Sequence, residues 1–136
     1  MYKSQKGFTL IELVVVIVLL GILGVTALGK FEDLASDAQD AANSGVAAEI
    51  SSAAAINYAA NVVNGGGVAM TGANDDCLPA SLAPLFQSAT YPAGMTSVAG
   101  AGACAAAGDT YTCTIRDTGV PQVGANATAT VICTGP

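Results

Sequence analysis

The sequence predicts an α+β fold, in which a long N-terminal helix with an apolar first half packs through its second half on a small antiparallel sheet. Three observations indicate this. Residues 8–28 form an almost unbroken apolar run, residues 30–63 continue it with helical periodicity, and C-terminal segments alternate small and β-branched side chains. The length of 136 residues gives room for one modest domain.

The apolar run is the first element. As a helix, residues 8–28 would extend about 31 Å, enough to cross the hydrocarbon core of a bilayer. Glu12 is the one charge in the run. Lys3 and Lys6 precede it, which predicts a cytoplasmic N-terminus. Acidic residues follow it: Glu32, Asp33, Asp37 and Asp40.

The second half of the helix is amphipathic. We predict that its apolar stripe packs on the sheet and that its acidic side is solvated rather than metal-binding. The stripe comprises Phe31, Leu34, Ala38, Ala42, Val46, Ile50, Ala53, Ile56 and Ala60, and the polar side carries Asp33, Asp37, Asp40, Ser44 and Ser51. Asn64 and the three glycines after it predict the helix end, so one helix should cover residues 8–63.

The remaining elements are short. Residues 68–76 are predicted to form a loop, and Pro79 predicts the start of one or two helical turns. Residues 95–106 are a strand candidate diluted by glycine, whereas 110–116 and 127–134 have the alternation of better strands.

The cysteines predict disulfide bonds. Their even number, in a half of the chain predicted to lie outside the cytoplasm, is typical of bridges. Three pairings are open, and a two-residue turn at Gly108 and Asp109 would favour one of them by placing Cys104 opposite Cys113. Cys77 would then pair with Cys133. Zinc is not expected, because the chain has no histidine and no C-x-x-C pair.

Composition argues against catalysis and nucleic-acid binding. Without histidine the chain lacks the commonest general base, and oxidised cysteines are not nucleophiles. Asp75 and Asp76 are typical of a solvated loop, and the glycines at 65–67 follow a helix instead of opening one. A net charge of −6 would repel a phosphate backbone. We expect no enzyme activity, no cofactor and no metal.

The first residues also resemble a known family. The stretch KGFTLIELVVVIVLLGIL, residues 6–23, is similar to the N-terminal signature of type IV pilins and of type II secretion pseudopilins. The resemblance implies that a prepilin peptidase cuts after Gly7 and methylates Phe8, and that Glu12 is the family's acidic position. FEDLASDAQDAANSGV, residues 31–46, resembles mannose-sensitive haemagglutinin-type and related major pilins. Many pilins have a proline where this chain has Gly29.

The resemblance implies a division of the chain and a function. The expected division is a leader (1–7), a filament-core helix (8–29), its amphipathic continuation (30–63), a connecting loop (64–94) and a disulfide-bonded sheet region (95–136). The expected function is a homopolymeric pilus subunit, held first in inner-membrane lipid and then in an extracellular filament for adhesion, motility or DNA uptake. The expected partners are the prepilin peptidase, an assembly ATPase, a platform protein and a secretin.

A pseudopilin is the alternative function. Major pseudopilins often have an acidic calcium loop near the C-terminus, whereas residues 119–136 contain no acid, and paired cysteines are more typical of pilins. A monomeric membrane-anchored domain is a third class, in which Gly7 and Glu12 would have no special role.

Two interpretations of the role of Glu12 are open. A carboxylate at bilayer depth costs about 3 kcal/mol, which usually marks function. We expect it to meet the new Phe8 amine of a neighbouring subunit; alternatively it reaches the headgroups or pairs with its own N-terminus. Gly21, Gly24 and Gly29 predict either close helix packing or a stretch that extends or unwinds in a fibre.

Overall fold

A computed structural model describes residues 7–119 and 124–135, with the side chain of Asn74 excepted. Lys3, Lys6 and the predicted leader up to residue 6 lie outside the described residues. The chain divides into two compact units, Met1–Leu34 and Ala35–Pro136.

Helix α1 spans Leu10–Asn64 and confirms the predicted long helix. It continues through Gly21, Gly24 and Gly29 without a break. At its end the Gly65 amide donates to the Asn61 carbonyl at 2.9 Å, and Gly65 adopts φ +68°. This left-handed residue is the glycine cap that the sequence predicts.

Three antiparallel strands form the sheet of the second unit, in the order β1-β2-β3. Their bounds are Met95–Gly102 for β1, Thr110–Asp117 for β2 and Ala127–Ile132 for β3. Each predicted strand exists, but β1 ends four residues before residue 106. Its register with β2 shifts between Ala99 and Gly102, where the Thr112 hydroxyl bonds both the amide and the carbonyl of Ala101, at 2.7 and 2.9 Å.

Short helical turns connect α1 to the sheet. A 3-10 turn covers Asn74–Cys77, α2 covers Pro79–Leu82, and a second 3-10 turn covers Ala83–Leu85. Pro79 opens α2, as the sequence predicts, because proline lacks the amide that a first helical residue leaves unpaired anyway. The predicted loop is therefore irregular only up to Ala73.

The buried face of α1 differs from the predicted stripe. Within the stripe only Ile50 is fully buried, whereas Ala38, Ala42 and Ile56 are exposed. The residues of α1 that are buried are Asn43, Ala47, Ile50, Ala54 and Asn57. The prediction was wrong because it counted apolar side chains alone, and two asparagines face the core.

Those asparagines are buried because backbone groups satisfy their amides. Asn43 Nδ2 donates to the Ala125 carbonyl at 2.8 Å, and Asn57 bonds both backbone groups of Val68. Asp40 accepts from the Ala125 amide, so the expectation that Asp40 is solvated was wrong, while Asp33 and Asp37 are exposed. Polar side chains of α1 thus hold the segments that flank the sheet.

Ser51 extends this pattern to the sheet itself. Its hydroxyl accepts from the Thr130 amide of β3 at 2.9 Å and donates to the Ala47 carbonyl of its own helix. Because β3 is an edge strand, this contact satisfies an amide that no neighbouring strand pairs.

Candidate assembly site

The first unit exposes an apolar helical surface. Its large apolar side chains are all at least 40% exposed, from Val14 at 40% to Phe8 at 93%. They include Leu10, Ile11, Leu13, Val15, Val16, Ile17, Val18, Leu19, Leu20, Ile22 and Leu23. By length and composition α1 is the single helix among the described residues that qualifies to cross a membrane. A surface of this kind is stable only in lipid or against another apolar surface.

Glu12 lies at the start of this helix and caps it. Its Oε2 accepts from the Thr9 amide at 3.1 Å and from the Thr9 hydroxyl at 3.0 Å. In return, the Thr9 hydroxyl oxygen accepts from the Glu12 amide at 3.3 Å. This reciprocal pair is a capping box, which satisfies two amides that a helix start leaves unpaired.

The sequence contains the signal for this capping box, although charge and hydropathy do not reveal it. A threonine followed three residues later by glutamate, just before an apolar run, is the usual signature. Within the described residues, Glu12 therefore bonds Thr9 at its own helix start, while its pairing with an amine stays a prediction.

The carboxylate of Glu12 keeps one oxygen available. Both bonds from Thr9 converge on Oε2, and no donor in residues 7–119 or 124–135 bonds Oε1. An ionised carboxylate has about four acceptor positions, so it can accept further donors. The capping box is compatible with a second, external partner.

Gly7 and Phe8 lie outside the helix. Both are exposed and precede the first residue of α1. A peptide bond outside regular structure is open to a protease, since no helical hydrogen bond has to break. Cleavage after Gly7 and methylation of Phe8 stay predictions.

The three glycines of the span face open space among the described residues. A Cβ added at Gly21, Gly24 or Gly29 would meet no atom within 4 Å. Between them the Thr26 hydroxyl donates to the Leu23 carbonyl at 3.0 Å, so its polar group is satisfied inside the helix. Close packing and unwinding in a fibre both stay open.

All four cysteines form disulfides, as predicted, but with another pairing. Cys77 bonds Cys113 and Cys104 bonds Cys133, with Cα separations of 5.5 and 5.7 Å. The favoured pairing was wrong because Gly108 and Asp109 do not close a hairpin between β1 and β2. Instead, the Gly108 amide donates to the Cys133 carbonyl at 2.9 Å, which takes this loop to the end of β3.

The register explains the same correction from the other side. Cys113 of β2 lies opposite Ala99 of β1, not opposite Cys104. The shift after Ala99 and the early end of β1 at Gly102 take Cys104 off the ladder. The two bridges overlap along the chain, so each closes a loop that contains one end of the other.

No metal-binding cluster appears in the described ranges. No group of three histidine, cysteine or acidic side chains there lies close enough to hold an ion. Tyr111 is buried and donates to Met70 Sδ at 3.4 Å; burial, with a smaller effect of Asp76, raises the pKa of its phenol. A phenol that stays protonated serves packing here, not acid–base chemistry.

Comparison with known proteins finds similarity in the same N-terminal segment. The prokaryotic N-terminal methylation motif matches residues 2–28. The chain is also 51% identical over 51 residues to the type IV narrow pilus major component PilA5 of Thermus thermophilus. Both matches show that the N-terminal part of the chain is similar to type IV pilins. No solved structure matches the chain.

The likeness to the Thermus protein is confined to part of each chain. The matched residues cover 38% of this chain and 44% of the relative, so the match spans less than half of the relative's length. The long helix on a three-stranded sheet is a pilin-like α+β fold.

Proposed function

We propose that this protein is a type IV pilin, the structural subunit of a type IV pilus. The subunit is first inserted in the inner membrane and is cleaved after Gly7. It then polymerises through its N-terminal helix into an extracellular filament. The observation that carries the proposal is the exposed apolar surface at the start of α1, which lies within the segment that matches the methylation motif. Lipid covers that surface before assembly, and the helices of other copies cover it afterwards.

Glu12 supports a fixed axial stagger between neighbouring helices. The amine that cleavage creates on Phe8 is attracted to a Glu12 carboxylate of another copy by about 4 kcal/mol at 4 Å and an effective dielectric near 20. That is close to the cost of about 3 kcal/mol for placing the acid in the apolar layer. The pair therefore selects the register, and apolar packing supplies the cohesion.

The capping box prepares Glu12 for this pairing. Thr9 holds Oε2 and fixes the carboxylate at the helix start, while Oε1 stays open to the incoming amine. The subunit can thus cap its own helix and bind a neighbour at the same time, without breaking one contact to form the other.

The partners follow from the proposed pathway. A prepilin peptidase removes the leader and methylates Phe8, and an assembly ATPase, a platform protein and a secretin drive export. The filament serves adhesion, motility or DNA uptake. The relative's name, a major component of a narrow pilus, supports a major pilin, and no observation favours the alternative of a pseudopilin.

Two substitutions test the proposal in cells. Gly7→Leu should block cleavage, so mass spectrometry should find the leader still attached and electron microscopy should find no filaments. Glu12→Val should allow cleavage and membrane insertion while filament yield falls. Leu13→Val is the control, because it changes an exposed neighbour of Glu12 and leaves both the charge and the apolar surface in place. This variant should assemble normally. Full filament yield from Gly7→Leu would refute processing as a requirement, and full yield from Glu12→Val would refute the pairing.

A further inference from the structure

Arg116 is the one positive side chain beyond Lys30. All ten acidic residues except Glu12 also lie beyond Lys30. Removal of the leader would take Lys3 and Lys6 away and change the formal charge from −6 to −8, before the new amine is added. Copies of such a chain repel one another, so each cation left on the subunit matters for assembly.

Arg116 forms no hydrogen bond or ion pair within residues 7–119 and 124–135. It lies near the end of the central strand β2, on the face opposite the core, with Thr96 of β1 as its register partner. Its side chain is half-buried, and its Nε is buried without a hydrogen bond among residues 7–119 and 124–135. The ion pair found in those residues joins Lys30 to Asp33, at 3.8 Å.

An unpaired guanidinium in this position is unfavourable. Partial burial removes water from it, and no carboxylate or carbonyl in the described chain replaces that water. Arginine presents five donors in a planar fork that fits a carboxylate with two parallel bonds. A carboxylate of a second subunit would supply the acceptors that the described residues do not.

The chain itself offers matching acids. Most of its carboxylates already have partners: Asp76 accepts from Thr71 and Gly72, Asp109 accepts from Ala105 and Ala106, and Asp117 accepts from Gly119. On α1, Glu32 and Asp37 are exposed and no hydrogen bond or ion pair involves their side chains in the described residues. With Asp33 they place three carboxylates on little more than one helical turn.

We propose that Arg116 docks on the acidic turn 32–37 of a second copy of this chain. The contact rests on the proposed polymerisation and deepens it, because it gives the filament an electrostatic contact besides the Phe8 amine and Glu12. Charge complementarity selects this occupant: the lone cation of the sheet meets the densest group of acids on the helix. Lys30 is less suited to the role, since Asp33 of its own chain already lies beside it.

The first experiment measures filament yield. Arg116→Gln removes the charge and keeps a polar side chain. The yield of sheared filaments should fall by about tenfold, the effect of losing one well-placed charged contact. Lys30→Gln is the matched control and should leave the yield within about twofold. Unfolding of the full chain in detergent and the presence of both disulfides verify that the variant is folded. A yield equal to that of the wild type would overturn the inference.

The second experiment identifies the partner. Filaments of Arg116→Lys, prepared in a Lys30→Gln background, present one amine on the folded part of each subunit to a carbodiimide, which joins amines to nearby carboxylates. The expected product is a covalent dimer in which the peptide around position 116 is linked to the peptide containing residues 32–37. Links to any other acidic peptide, or no dimer, would refute the assignment.

The two proposals fail in different ways. If the wild-type chain forms no filaments, the proposed pilus function fails before Arg116 is tested. If the wild type assembles and Glu12→Val does not, while Arg116→Gln assembles fully, only the Arg116 contact is refuted.

Discussion

The side chain of Asn57 pairs with both backbone groups of Val68. Its Oδ1 accepts from the Val68 amide at 2.7 Å, and its Nδ2 donates to the Val68 carbonyl at 2.8 Å. The approach is close: a Cβ at Gly67, which adopts φ +112°, would lie 2.7 Å from that same Oδ1. One amide of the helix thus fixes the first residues after the turn, in the way that a neighbouring strand would.

Asn57→Ala should destabilise the second unit by about 2–4 kcal/mol, because two backbone groups next to the core lose their partners. Asn61→Ala is the control: it is the same substitution one turn later on α1, and should change the free energy of unfolding by about 0.5 kcal/mol or less. Urea unfolding of the full chain in detergent, followed by tyrosine fluorescence, gives both values. Equal midpoints for the two variants would show that the pairing with Val68 is not stabilising.

The disulfide pairing predicts which variants that keep only two of the four cysteines can still form a bridge. A variant that keeps Cys77 and Cys113 should oxidise to one bond, and so should a variant that keeps Cys104 and Cys133. A variant that keeps Cys104 and Cys113 should stay reduced when folded, because Cys113 lies opposite Ala99. Thiol counting and peptide mapping by mass spectrometry distinguish these results.

The same variants report the stability that each bridge contributes. The closed loops are similar, with sequence separations of 36 and 29, so the loop-closure model predicts that each loss costs about 3–4 kcal/mol. A native bond between Cys104 and Cys113 would instead restore the hairpin that the sequence favoured and contradict the register of β1 and β2.

Tyr111 predicts a loss of stability at alkaline pH. Burial raises the pKa of its phenol in the folded chain, with a smaller contribution from the nearby Asp76 carboxylate. Below about pH 10, the pKa of an exposed tyrosine, both folded and unfolded chains keep the proton and stability is unaffected. Above it, the unfolded chain loses the proton that the folded chain retains, so stability falls with rising pH.

Thermal unfolding at pH 8, 9, 10 and 10.5 tests this. Tyr111→Phe should flatten the decline above pH 10, while leaving the stability at pH 8 nearly unchanged because only a weak bond to Met70 Sδ is lost. Some decline should remain, since burial also raises the pKa of Tyr91. Parallel curves for the wild type and the variant would exclude Tyr111 as the cause.

Periodicity predicted the long helix and the three strands because each depends on local spacing. The apolar run from residue 8 and the glycines after Asn64 bound α1 within two residues at its start and one at its end. The helix face against the sheet was not predictable in the same way. Asn43 and Asn57 are buried because of carbonyls and amides up to 82 residues away, and no local pattern encodes those partners.

The disulfides show the same limit. Oxidation of all four cysteines was predictable from their even number and the predicted compartment. The pairing depends on where β1 ends, and the shift after Ala99 moves that point. At the start of α1, in contrast, the local sequence is sufficient for a prediction. The capping box is a purely local pattern, and Thr9 with Glu12 was readable from the sequence alone.

Thr9 therefore predicts a measurable effect at the helix start. Thr9→Val keeps the size of the side chain but removes the hydroxyl that accepts from the Glu12 amide and donates to its Oε2. Loss of such a cap costs about 1 kcal/mol, which corresponds to roughly fivefold faster exchange of the Glu12 amide with solvent. Hydrogen exchange of the full chain in detergent micelles, read by NMR, measures it.

Thr9→Ser is the matched control, because serine restores the hydroxyl and should return the exchange rate to that of the wild type. The comparison also separates capping from assembly. If Thr9 acts by orienting the carboxylate, Thr9→Val should lower filament yield and Thr9→Ser should rescue it. If Thr9→Val accelerates exchange and leaves the yield unchanged, the capping box stabilises the helix start alone, and the neighbour's amine finds Glu12 without help from Thr9.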